Sequence, residues 1–152
     1  MFKKVNKYKT SEFFHIGRES RVIVKAEVKL RGLRSSEKCK ALVDTGTLMT
    51  VIDKGLAEAI GVSYTDRKRS LTSATGHKLT GQIAIIRELT VEDEVLDYEK
   101  ALVVEFNGEV KTALRKLDVA DSIILGVTTI ELASFIPDTA TGKLRKIEAF
   151  LF

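Results

Sequence analysis

From Arg21 onward the chain alternates: Val22, Val24, Ala26, Val28 and Leu30 interleave with Ile23, Lys25, Glu27 and Lys29. A period of two is the signature of a half-buried strand. The stretch RGLRSSEK breaks the pattern as a turn region, and CKALVD resumes it as a second strand that pairs back on the first. Further on, Asp53 stands where it can cap a short helix carrying Leu56, Ala57 and Ile60, with Gly61 just past its end. SLTSAT and KLTGQIAIIREL then flank TGHK, which predicts a hairpin with Gly76 at its tip. VLDYEKALVVEF and SIILG read as further strands, the latter apolar enough to be central, and VTTIELASF as a second short helix ended by Pro137. DTATG is a turn, and KLRKIEAF the last strand. The pattern predicts a mostly-β domain over 21–152 with one or two short helices, preceded by a basic arm over 1–20. Disorder and a cleavable or regulatory role are the two readings of that arm.

Composition narrows the class. A chain of 152 residues, 44% hydrophobic, is long enough to bury one core. It has no apolar run of the roughly 20 residues that span a bilayer, so no membrane association is expected. The lysine-rich start lacks the continuous apolar stretch of a secretory signal. Cys39 is the single cysteine, which excludes an intrachain disulfide and any cysteine-built metal site. A lone thiol suits a reducing interior, so a cytoplasmic location is expected. The net charge of +4 permits loose contact with polyanions, but the basic residues are interspersed with acids and no aromatics interleave with a basic patch. No specific nucleic-acid partner is expected. Gln82, Asn6 and Asn107 are the only side-chain amides and charged residues reach 30%, a balance resembling that of heat-adapted proteins.

The chemistry concentrates in ALVDTGTLMTVID. An acid, Asp44, ends an apolar strand and is followed by Thr45, Gly46 and then Thr47. Asp and Gly together usually mark a turn. Here three features fall in one order: Leu42-Val43-Asp44-Thr45-Gly46, a glycine-tipped hairpin, and Ile124-Leu125-Gly126 leading into a helix. That order resembles the retropepsin-type aspartic proteases, in particular their single-domain prokaryotic relatives. The resemblance runs from about Arg21 to the C-terminus, and it implies a closed or partly open retropepsin-like β-barrel with a flap hairpin.

The resemblance implies an aspartic endopeptidase with Asp44 as its catalytic residue and no cofactor or metal. Two carboxyl groups share one proton: one activates a water while the other protonates the peptide carbonyl. Like charges about 3 Å apart cannot both ionise, and aspartic proteases are the standard instance of this. Gly46 lets backbone approach the carboxylates and substrate closely. Thr45 would lock the two active-site loops across a twofold axis. Leu42 and Ile124 match residues lining the inner substrate pockets, Gly46 also supplies a substrate-binding carbonyl, and Gly76 belongs to the flap that closes over an extended peptide. Only one Asp-Thr-Gly occurs, since Asp138-Thr139 is followed by alanine. One chain therefore carries one carboxylate, and a symmetric homodimer is expected.

Two departures from the viral pattern bear on that dimer. Thr47, Leu48 and Met49 follow the motif where the viral enzymes place alanine and acids, and Val127 stands where they place a basic residue. Apolar packing is expected to replace their interface salt bridges. Thr47, a hydroxyl residue as in pepsins, can donate to Asp44 and favour its charged form, so an acid pH optimum is expected.

Rival readings are weaker. VDTGT also resembles the phosphate hairpin of actin-like and sugar kinases, but those folds need a second lobe. Aspartyl-phosphate transferases need a second acid two residues on, where Gly46 stands. A non-catalytic, retropepsin-like dimeric peptide-binding module is the stronger alternative. His77 reads as an exposed loop residue, His15 as part of the arm, and Cys39 as a small buried hydrophobe rather than a nucleophile.

Overall fold

The alternation from Val24 to Leu30 becomes a strand whose even positions are all buried and whose odd positions are not. The structure, a computed structural model, describes residues 23–72 and 78–148. The expected basic arm, the hairpin tip with Gly76 and His77, and the last four residues lie outside the described residues.

Within them the order is β1 (Lys25–Arg31), β2 (Ser36–Val43), β3 (Val51–Asp53), α1 (Lys54–Ile60), β4 (Ser63–Thr72) and β5 (Lys78–Val91). There follow β6 (Glu94–Val104), α2 (Gly108–Lys116), β7 (Ile123–Leu125), α3 (Val127–Leu132), β8 (Phe135–Asp138) and β9 (Lys143–Lys146). The main sheet runs β1-β2-β7-β3-β6-β5-β4, and β1 also pairs with β5. That extra pairing closes six strands into a barrel and leaves β4 outside the closure, bonded among the described residues to β5 alone. The fold is thus the mostly-β, retropepsin-like barrel expected from the sequence.

Residues 41–43, 51–53 and 123–125 show no alternation: all of them are buried. They lie at the sheet centre, where both faces are covered, and successive side chains enter different cores. Ala41, Val43, Ile52, Val103, Ile123 and Leu125 join the barrel interior. Leu42, Val51, Leu102, Val104 and Ile124 join a second cluster with Phe106, Leu114 and Val119. Truncating a fully buried leucine such as Leu42 or Leu102 to alanine costs on the order of 2–5 kcal/mol.

The first helix follows its sequence signals. Asp53 caps α1 by accepting from the Gly55 amide at 3.2 Å, and Gly61 closes it in the left-handed conformation at φ 81°. Asp53 does more than cap: its other oxygen accepts from the Phe106 amide at 2.8 Å, tying the start of α1 to the end of β6.

Several details differ from the sequence reading: β3 and β8 fall where it has no strand, β4 starts at Ser63 rather than Ser70, and the helices differ in two ways. Helix α2 was not anticipated; Asn107 caps it by accepting from the Val110 amide at 2.9 Å, and its apolar side supplies Leu114 to the second cluster. Pro137 does not end α3. That helix stops at Leu132, Ser134 turns the chain at φ 66°, and Pro137 sits in β8, opposite Leu144 of β9. A two-stranded sheet has only edges, where a missing N–H is tolerated.

Candidate active site

The position of Asp44 follows from the centre of the sheet. β2 runs parallel to β7, with Leu42 opposite Ile124 and Val43 opposite Leu125. The Asp44 amide extends the ladder by one bond, donating to the Leu125 carbonyl at 2.9 Å. There the chain turns sharply, with the Thr47 amide donating to the Asp44 carbonyl at 3.0 Å. The aspartate is therefore held at the end of a buried strand, and it is only 2% exposed.

Its own loop addresses both carboxylate oxygens. The Gly46 amide donates to Oδ1 at 3.0 Å and the Thr47 hydroxyl to Oδ2 at 3.0 Å. Donors aimed at a buried carboxylate favour its ionised form and fix its plane. Thr47 is buried beneath the acid, whereas Thr45 and Gly46 are exposed beside it and Leu48 is 47% exposed. The loop thus presents a strip of small and apolar surface next to a shielded acid.

Gly126 explains how the second motif meets the first. A Cβ on it would lie 2.3 Å from the carbonyl carbon of Met49, which no side chain can tolerate. This close approach lets α3 clamp the loop: the Val127 amide donates to the Thr47 carbonyl at 2.8 Å and the Thr128 amide to the Leu48 carbonyl at 3.0 Å. The Thr128 hydroxyl also donates to the Leu48 carbonyl, at 2.8 Å.

The structure thus brings Asp44, Thr45, Gly46 and Thr47 together on one loop, and sets Leu42 beside Ile124 just beneath it. Leu42 and Ile124, matched to substrate-pocket residues by resemblance, are each 0% exposed and share their cluster with Leu114 of α2. In the single chain both are buried in that cluster. The strands flanking the expected hairpin pair, with Leu71 of β4 opposite Leu79 of β5. Gly76, like the rest of the tip, is outside the described residues.

Sequence reasoning missed three polar residues behind the loop. Thr50 and Thr129, 0% and 1% exposed, have their hydroxyls 2.7 Å apart. Thr129 also donates to Glu99 at 2.9 Å. Burial holds the Glu99 carboxyl above the usual carboxylate range, with the Thr129 hydrogen bond opposing that shift. The signal available was Thr50 itself, a polar residue inside the apolar run LMTVI.

Among the described residues no group of three or more His, Cys, Asp or Glu side chains is placed to hold a metal, and no helix is long and apolar enough to cross a membrane. Burial pushes the Cys39 thiol up to about 11, which keeps it a poor nucleophile.

A family model described as aspartyl protease matches residues 26–129. With the barrel and the Asp-Thr-Gly loop, this defines the chain as an aspartic protease of retropepsin type, and it belongs to that family. No curated protein matches it.

Proposed function

We propose that the chain is an endopeptidase active as a homodimer, with Asp44 from each subunit forming the catalytic pair. The observation that carries this reading is a buried aspartate whose oxygens accept from Gly46 and Thr47, on a loop whose outer side is Thr45, Gly46 and Leu48. One carboxylate so placed supplies half of the pair that hydrolysis needs. Brought next to its symmetry copy, it must share a proton, because two adjacent carboxylates cannot both ionise. The ionised member takes a proton from a water held between them; the protonated member gives its own to the carbonyl oxygen of the scissile bond. Neither acid needs to move, since each is fixed by its own loop.

Thr45 faces outward, where it can bond across the twofold axis. Leu48 and Val127 stand in place of the acid and base of the viral enzymes, so the interface is apolar there. The β4–β5 arms provide the flap that covers an extended peptide or unfolded protein and excludes water. The Thr47 hydroxyl supports the ionised carboxylate, which favours an acid pH optimum.

The test is digestion of an unfolded protein over a pH series, with and without a statine-type transition-state mimic, for wild type and Asp44→Asn. Cleavage strongest at acid pH, blocked by the mimic and absent in the variant, is the expected result. Peptide retention without cleavage would instead indicate a binding module, and cleavage persisting in Asp44→Asn would place the activity elsewhere.

A further inference from the structure

Behind the active-site loop runs a chain of hydrogen bonds that the proposed reaction does not use. The Gly126 amide donates to the Thr50 hydroxyl oxygen at 3.1 Å, Thr50 and Thr129 lie 2.7 Å apart, and Thr129 donates to Glu99 Oε2 at 2.9 Å. A hydroxyl carries one proton. While Glu99 is ionised the proton of Thr129 is committed to it, and the contact between the threonines then takes one sense: Thr50 donates and Thr129 accepts. Every donor therefore points toward the carboxylate, from Gly126 through Thr50 and Thr129 to Glu99. Such an aligned chain is mutually reinforcing in a buried setting.

The far end of this chain touches the catalytic loop. Gly126 is followed by Val127 and Thr128, whose amides hold the carbonyls of Thr47 and Leu48. Strand β6, which carries Glu99, also reaches Thr50 directly, since the Leu102 amide donates to the Thr50 carbonyl at 2.9 Å. Glu99 is thus set on the strand that supports Thr50 and, as a carboxylate, at the accepting end of the chain.

We propose that Glu99 is a positioning residue for the active site: it orients the Thr129 and Thr50 hydroxyls so that Gly126 and the start of α3 hold the loop bearing Asp44. This rests on the proteolytic reading for its catalytic consequence, but not for its structural one. Removing the acceptor lets Thr129 reverse and donate to Thr50, which then competes for the lone pairs that fix the Gly126 amide. Glutamine keeps a carbonyl oxygen at the same reach and should preserve the sense of the chain.

The experiment compares wild type, Glu99→Leu and Glu99→Gln by steady-state peptide cleavage and by amide hydrogen exchange. For Glu99→Leu we expect kcat to fall about tenfold with KM within about twofold, and exchange at Gly126, Val127 and Thr128 to quicken about tenfold while β1 is unchanged. Glu99→Gln should restore most of both. Should Glu99→Leu not fold, Thr129→Val, similar in size, is expected to give the same two effects. Unchanged kcat and unchanged local exchange in a folded Glu99→Leu would overturn the proposal. So would a loss of protection spread evenly over the barrel, which would mark a general loss of stability. If wild type cleaves nothing, the proteolytic reading fails, and the exchange comparison decides the positioning role by itself.

Discussion

Two Asp-Thr pairs occur in this chain, and they have opposite fates. Asp44 ends β2 at the sheet centre, 2% exposed, its carboxylate bonded by Gly46 and Thr47. Asp138 ends β8 in a two-stranded sheet at the periphery, and its side chain accepts from the Ala140 amide at 2.9 Å. Its carbonyl accepts from Gly142 at 2.9 Å, closing the turn into β9. Both aspartates accept an amide two residues on, the ordinary local habit of Asp in turns. What differs is the surroundings. A parallel neighbour strand, a clamping helix and a buried hydroxyl enclose Asp44, while water reaches the turn at Asp138. The local turn chemistry is common to both; the burial that could make an acid catalytic comes from the sheet.

The largest separation between the two should appear in activity. Asp44→Asn is expected to lower peptide cleavage by on the order of 10³-fold or more, whereas Asp138→Asn should leave it within about twofold. Cleavage assays on both variants, with thermal melts to confirm folding, check this. Next in size is the enclosure itself. Gly126→Ala would drive a methyl into the Met49 backbone and is expected to destabilise by about 3 kcal/mol or more, as read by denaturant titration. At the other turn, Asp138→Ala removes one exposed hydrogen bond and should cost about 1 kcal/mol or less by the same titration.

The smallest effect concerns pH. The Glu99 carboxyl is held above its ordinary value of 4.5 by burial, so the folded state binds more protons than the unfolded state from about that pH upward. Stability should therefore fall as pH rises through that window, and Glu99→Gln should lose this part of the slope. Melting both proteins across a pH series checks the sign: wild type gains on Glu99→Gln as the pH is lowered.

Much of this was legible in the sequence because it is local. The β1–β2 hairpin, the Asp53 cap, the Gly61 stop and the β4–β5 pairing each depend on residues close together in the chain. The Asp-Thr-Gly loop and Ile124-Leu125-Gly126 were legible as motifs, though not the reason Gly126 must be glycine, which is the Met49 backbone. Helix α2 was missed although Asn107 marks its start, because Gly108 directly after a strand reads as a turn. Of the chain through Thr50, Thr129 and Glu99, only Thr50 left a local trace, as a polar residue in an apolar run; the three lie far apart in sequence and meet only in the folded chain. Leu42 and Ile124, given a pocket role by resemblance, are buried in the single chain in one cluster with Leu114 of α2, a neighbour that no local signal announced.

The sharpest question is whether Asp44 works alone or with its copy. Wild type and Asp44→Asn can be mixed at fixed total concentration, allowed to exchange subunits, and assayed for cleavage. If each site needs both carboxyls, activity follows the square of the wild-type fraction, falling to about a quarter of full activity in an equal mixture. A fall in direct proportion, to about half, would mean that one chain suffices and would contradict the shared site.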